Sequence, residues 1–245
     1  MDKNLFSESS YALEFSEVSI RRQFVKKVFI LVTVMLAICT IFSAFPFIIP
    51  EFGNWLRGNS NDDGSGAMIL NITACVIFLV VVLTLSFIPK LRRMVPYNLI
   101  LLGIFTISAG LMVMCVTAYF TVTSVLMCFA ITAGITGSIV IFAVFINKDL
   151  TTMFGFMYLF TMWLFFFGLT AMITVWALGV YWLYLIYSAI AAVFFMLWLA
   201  IDVQLVMGNG RVAIGPEEYV FAAMSIFLDI LNIFLLLLCI FGKGK

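Results

Sequence analysis

Histidine is absent from all 245 residues. That excludes a Ser-His-Asp triad, a His-ligated zinc and a His-based pH sensor. Charge is scarce as well: Asp, Glu, Lys and Arg make up 10% of the chain, where soluble domains carry about 25%. The five cysteines, Cys39, Cys75, Cys115, Cys128 and Cys239, include no close-set pair. They read as small apolar packing residues, not as a disulfide or metal framework. The N-terminus lacks the short apolar core and small-residue cleavage site of a signal peptide. The first apolar run is therefore expected to stay in the mature protein.

What the chain does hold is apolar sequence, 65% of its residues, in runs of about 20 residues that can cross a hydrocarbon core of about 30 Å as helices. This predicts an all-α polytopic membrane protein. Residues 1–27 form a polar head with Ser9, Ser10, Glu14 and Glu17, then the basic cluster Arg21, Arg22, Lys26 and Lys27. Seven spans are expected at about 28–50, 67–89, 97–120, 124–146, 154–177, 180–207 and 219–241, followed by a short tail, 242–245. Pro46 predicts a kink or early end to the first span. Residues 51–66, rich in Gly, Asn and Asp, read as the longest loop, in turn or disordered conformation. Asn71-Ile72-Thr73 matches a glycosylation pattern but falls inside the second span, and is treated as a chance match.

Positive charge sets the expected orientation. With a cytosolic N-terminus, the head, the Lys90-Leu91-Arg92-Arg93 knot, the Lys148 loop and the Arg211 loop all face the cytosol, and hold ten of the thirteen Lys and Arg residues. Arg57, Lys243 and Lys245 fall on the other side. Residues 219–241 are long enough to cross, which places the C-terminus opposite the N-terminus. The knot is expected mainly to fix topology and meet anionic lipid.

Two acids stand out against this background. Asp202 and Asp229 sit inside runs of Leu, Ile, Phe and Met, where a carboxylate costs about 2.5 to 3.5 kcal/mol on insertion scales. Their helices are joined by a loop of roughly ten residues, so they must be antiparallel neighbours. Two buried carboxyl groups close together titrate as a unit around a shared proton. Such a pair, biased by a nearby cation, is a two-state element of the kind gating requires. Hydrogen-bonded glue between helices is the alternative. Glu217 and Glu218, after Pro216, suit a helix N-terminus and are weaker candidates for an ion path. Asp62 and Asp63 lack the further oxygen ligands a calcium ion needs, and no metal site is expected. Gly103, Gly110, Gly134 and Gly137 read as close helix contacts.

Several strings together resemble the Bax inhibitor-1 family, and within it the lifeguard branch. They are Asp202-Val203-Gln204-Leu205-Val206-Met207-Gly208, then Gly215-Pro216-Glu217-Glu218-Tyr219-Val220-Phe221-Ala222-Ala223, then Leu228-Asp229-Ile230-Leu231-Asn232-Ile233-Phe234. Val18-Ser19-Ile20-Arg21-Arg22-Gln23-Phe24-Val25-Lys26-Lys27-Val28 resembles the branch's lead-in to its first span. Arg92-Arg93-Met94-Val95-Pro96-Tyr97-Asn98-Leu99-Ile100-Leu101-Leu102-Gly103 resembles the lead-in to its third. The resemblance implies a seven-helix bundle with its last helix central, passive calcium leak from internal stores, pH sensitivity and suppression of cell death. It places the paired aspartates of a proton-sensitive latch at Asp202 and Asp229, and a latch cation among Lys90, Arg92 and Arg93. Val203, Ser225 and Phe227 depart from the branch, which usually has threonine at the first position and often asparagine and tyrosine at the others.

The reading that follows is a pH-sensitive calcium or cation leak channel, not an enzyme, needing no cofactor. Its expected partners are the lipid bilayer, calcium ions, protons and cell-death regulatory membrane proteins, with no nucleic acid. An internal membrane such as endoplasmic reticulum or Golgi is its expected place, although no Lys-Asp-Glu-Leu signal ends the sequence. The competing readings are a non-conducting adaptor for cell-death regulators and a proton-coupled transporter, the latter unsupported by any internal repeat. An intramembrane aspartyl protease would need Tyr-Asp and Gly-x-Gly-Asp, but Ile201 precedes Asp202 and Phe227-Leu228 precede Asp229. A retinal protein would need a lysine within 219–241, and a ceramidase-type hydrolase would need histidines.

Overall fold

The computed structural model describes residues 3–58, 65–146, 148–208 and 214–245, with side chains described from Ser19 onward. Asp62, Asp63, Asn147 and Arg211 lie outside the described residues. The elements are α1 (Lys3–Ile48), α2 (Pro50–Leu56), α3 (Ser65–Phe87), α4 (Pro89–Arg93), α5 (Tyr97–Thr117), α6 (Val122–Phe145), α7 (Phe154–Leu178), α8 (Trp182–Met207) and α9 (Tyr219–Phe241). Short 3₁₀ turns at Leu150–Met153 and Pro216–Glu218 lead into α7 and α9. Among the described residues seven helices are long and apolar enough to cross a membrane. The protein is an all-α polytopic membrane protein.

Burial shows how the helices are layered. Residues packed on nearly every side of α9 are buried, including the consecutive runs Ala222, Ala223, Met224 and Asp229, Ile230, Leu231. A helix apolar and buried all round belongs at the centre of a bundle. Around α9 stand α8, α1, α6 and α5; α3 packs outside α5, and α7 outside α8. Ring pairs tie the centre to its shell: Phe227 meets Phe105 edge-on at 5.5 Å, and Phe234 stacks on Phe129 at 4.3 Å. The outer helices bury only a stripe. On α3 it is Ala67, Ala74, Val81 and Leu85, and its other faces carry exposed Leu, Ile, Val and Phe. Trp176 is 89% exposed and Phe145 77%, a surface that only lipid covers favourably.

Four local findings differ from the sequence expectation or sharpen it. Residues 51–66 are not simply loop, because Pro50–Leu56 is helical. Pro50 occupies the first turn, where its missing N–H costs nothing, and buried Leu56 packs with Ala67, Met114, Cys115 and Ala118. The head is continuous with the first span, since the buried stripe of α1 already includes Phe24 and Val28. Pro46 sits in the last turn of α1, which ends two residues later. Of the four glycines read as close contacts, only Gly110 is one: a Cβ there would stand 2.9 Å from the Phe42 ring, whereas Gly103, Gly134 and Gly137 have nothing within 4 Å.

The two ends of the bundle are closed by different contacts. At one end Arg21, Lys27, Arg92 and Arg93 gather about the start of α9. At the other, the tail pairs with the α5–α6 turn through an antiparallel bridge of Phe120 with Gly244, and the Thr121 N–H donates to the Lys243 carbonyl at 3.0 Å. The last helix therefore runs from one end of the bundle to the other.

Candidate functional site: a carboxyl pair in a bundle cavity

Asp202 lies five residues before the end of α8, and Asp229 ten residues into α9. Antiparallel packing of these helices brings the two side chains together, and they are hydrogen-bonded to each other. Both residues are buried, 9% and 7% exposed. The Asp229 Oδ2 atom is buried with no hydrogen-bond partner. A hydrogen bond between two carboxyl groups needs one proton, because an ionised carboxylate only accepts.

The pair lines a cavity of about 620 Å³. Glu218, at the end of the turn before α9, and Phe221, Ser225, Asp229 and Asn232 of α9 line its wall, spaced three or four residues apart and so on one helical face. Phe195, Trp198 and Leu205 of α8 and Phe154 and Thr161 of α7 supply the rest, with Leu228 of α9 and Ile214 before its start. From Glu218 to Asn232 the wall runs roughly 20 Å along the helix axis. One end therefore lies at the edge of the span and the other well inside it.

Glu218 marks the outer end, and both arginines of the basic knot hold it. Its Oε1 accepts from Arg93 Nη2 at 2.5 Å and Nε at 3.1 Å, and Arg92 Nη2 stands 3.1 Å away. The hydrogen bond and the charge of Glu218 raise the Arg93 guanidinium above its ordinary range. Arg92 also lies 4.7 Å from the Phe221 ring centre, where a guanidinium is attracted by the ring face. The clasp ties α4 to the short turn that leads into α9, beside the cavity. Asn98 braces it from α5, donating to the Arg92 carbonyl and the Tyr219 hydroxyl, each at 3.2 Å.

The family model described as "Inhibitor of apoptosis-promoting Bax1" matches residues 21–245. The chain belongs to the Bax inhibitor-1 family. Among its relatives, mouse "Protein lifeguard 3" is 31% identical over 97% of this chain and 74% of its own length. Human "Protein lifeguard 3" is 30% identical over 98% of this chain and 75% of its own.

In this Bax inhibitor-1 family chain the structure sorts the candidate residues. It brings Asp202, Asp229 and Glu218 to one cavity and sets Arg92 and Arg93 on Glu218. Lys90 and Glu217 are exposed. Among the described residues no group of three or more His, Cys, Asp or Glu side chains is placed to hold a metal ion. Sequence reasoning missed Gln204, whose buried side chain accepts from the Leu150 N–H at 2.9 Å and donates to the Lys148 carbonyl at 3.0 Å. It also missed Asn98, Asn232 and Arg21, whose Nη1 donates to the Ile214 carbonyl at 2.9 Å and to the Val206 carbonyl, in the last turn of α8, at 3.4 Å. An amide in an apolar helical run was the available signal for the first three. Arg21 carried none beyond its charge.

Proposed function

We propose that the protein is a pH-sensitive calcium (cation) leak channel of an internal membrane, endoplasmic reticulum or Golgi, that limits cell death. Its gate is the Asp202–Asp229 pair. One observation carries this reading: the two acids are hydrogen-bonded on the wall of a cavity that reaches from the edge of the span into its interior. Losing the shared proton sets two anions in contact, and the resulting repulsion acts directly on the α8–α9 packing. Proton number and helix position are then linked, as a two-state gate requires. Calcium and protons are its ions, and it needs no cofactor.

The test is calcium efflux from liposomes holding the purified protein, from about pH 5 to 8, beside Asp202→Asn and Asp229→Asn. A pH-dependent leak that each substitution flattens supports the gate. A wild type that leaks no faster than empty liposomes at every pH overturns the channel. The chain would then be read as a non-conducting adaptor for cell-death regulators.

A further inference from the structure

Among the described residues four cations converge on the outer end of the cavity. Arg92 and Arg93 are clasped by Glu218. Arg21 Nη1 donates to the Ile214 carbonyl at 2.9 Å, and Ile214 lines the same cavity as Glu218. The Lys27 ammonium stands 3.5 Å from the ring centre of Tyr219, the residue after Glu218. These four groups come from α1 and α4, yet all meet the chain within the few residues that start α9. The acids beside them are Glu218 and Glu217, the second near enough for its charge to act on Arg93. Among the described residues these rim groups are four cations and two acids.

We infer that this rim is a charge filter: Arg21, Lys27, Arg92 and Arg93 keep the mouth of the Asp202–Asp229 cavity positive, favouring anions there and holding metal cations back. The Arg92 and Glu218 side chains are only 15% and 14% exposed, so their part of the field is less screened than at an open surface, whereas Arg93, 50% exposed, and the exposed Lys27 act through solvent that salt can screen. Rings of Arg and Lys at a constriction repel cations for the same reason. Glu218 has a positioning role. It cancels part of the charge, and its Oε1 fixes both guanidiniums at the rim instead of leaving them to solvent. The inference rests on the proposed ion path only for its consequence, which is that a cation path behind a positive mouth passes ions slowly. That is what distinguishes a leak from an open pore.

The filter can be read without any ion flux. Ser225 lies on the cavity wall and is half-buried, so Ser225→Cys is a probe of the local potential, read with Asp202→Asn and Asp229→Asn in place so that the carboxyl pair one turn away adds no negative charge. Cys75 and Cys239, the two native cysteines that are not fully buried, are replaced by alanine. The rates of modification by an anionic and a cationic methanethiosulfonate are then compared, each relative to a free thiol in solution. The ratio cancels any change in thiol ionisation, since both reagents meet the same thiolate.

The expected result is a preference for the anionic reagent of roughly tenfold at low salt. It should collapse towards the free-thiol ratio in about 1 M salt, where the screening length is about 3 Å. Arg92→Gln with Arg93→Gln should shift it towards the cationic reagent. The salt series uses the protein with its rim intact, so it decides the matter even if the double variant fails to fold. A ratio equal to the free thiol's at low salt overturns the filter, as does a ratio indifferent to salt or a thiol that neither reagent reaches. A protein that leaks no calcium yet shows the preference would refute the channel and keep the filter.

Discussion

Asp229 of α9 is hydrogen-bonded to Asp202 of α8, while its own Oδ2 remains buried without a partner. On the proposed gate the two acids titrate as one unit, and substituting either should remove the unit. An asparagine can still bond to the remaining carboxyl group but cannot share a proton with it. Asp202→Asn and Asp229→Asn should each erase the pH step of calcium efflux, and the double variant should add little to either, a strong departure from additivity. In the wild type the leak should rise with pH through that step, because proton loss leaves two like charges in contact. Efflux that falls with rising pH would refute the sign. Independent, additive effects of the two substitutions would refute the coupling.

Gln204 should matter to stability more than its apolar surroundings suggest. Its amide satisfies two backbone groups of the linker before α7, the Leu150 N–H and the Lys148 carbonyl. Gln204→Leu keeps the volume and leaves both groups without that partner, at about 1–3 kcal/mol for each one that stays dry. Thermal unfolding of the detergent-solubilised variant should show a lower midpoint, with α7 the first region to lose protection in hydrogen exchange. An unchanged midpoint would mean that water replaces the amide at no cost.

Gly208 and Gly179 form a matched pair of helix ends. Both are left-handed, with φ of +75° and +65°, but only Gly208 has a neighbour in the way: a Cβ there would stand 2.8 Å from the Arg21 guanidinium carbon. Gly179→Ala should cost the backbone strain alone, about 1–2 kcal/mol. Gly208→Ala should cost more, since Arg21 must also give up its bond to the Ile214 carbonyl. Adding Arg21→Ala to Gly208→Ala should therefore cost less than Arg21→Ala does in the wild type. Equal midpoints for the two glycine variants would show that Arg21 moves freely.

Much of this architecture is legible in the sequence because bilayer thickness and the cost of a buried carboxylate act on it directly. Long apolar runs mark the helices, and Asp202 and Asp229 stand out against theirs. Their meeting follows from a short connection between antiparallel neighbours. The partner of the arginines was not legible in the same way. Glu218 is 125 residues from Arg93, and nothing local distinguishes it from Glu217, which is exposed. Helix rotation was also hidden. In α5 and α6 apolar residues occupy every face, so no amphipathic pattern tells lipid from protein. That is why Gly103, Gly134 and Gly137 read like Gly110 although they have no neighbour.

Rotation can be tested with two of those glycines on one helix. Gly103 of α5 is exposed and has open space where a Cβ would go; Gly110 is buried against Phe42 of α1. Alanine is the better helix former by about 1 kcal/mol, so Gly103→Ala should be neutral or stabilising. Gly110→Ala gains the same propensity but meets Phe42 at 2.9 Å, with the Phe42 Cβ itself 3.3 Å away. Because the obstruction includes the root of the side chain, a rotamer change cannot clear it, and α1 must shift from α5. Overpacking of this kind typically costs about 1–3 kcal/mol, so Gly110→Ala should lower the unfolding midpoint. Phe42→Leu should recover part of the loss when combined with Gly110→Ala and should destabilise when made alone. If Gly110→Ala proved as harmless as Gly103→Ala, α1 and α5 would not be in close contact at that level of the bundle.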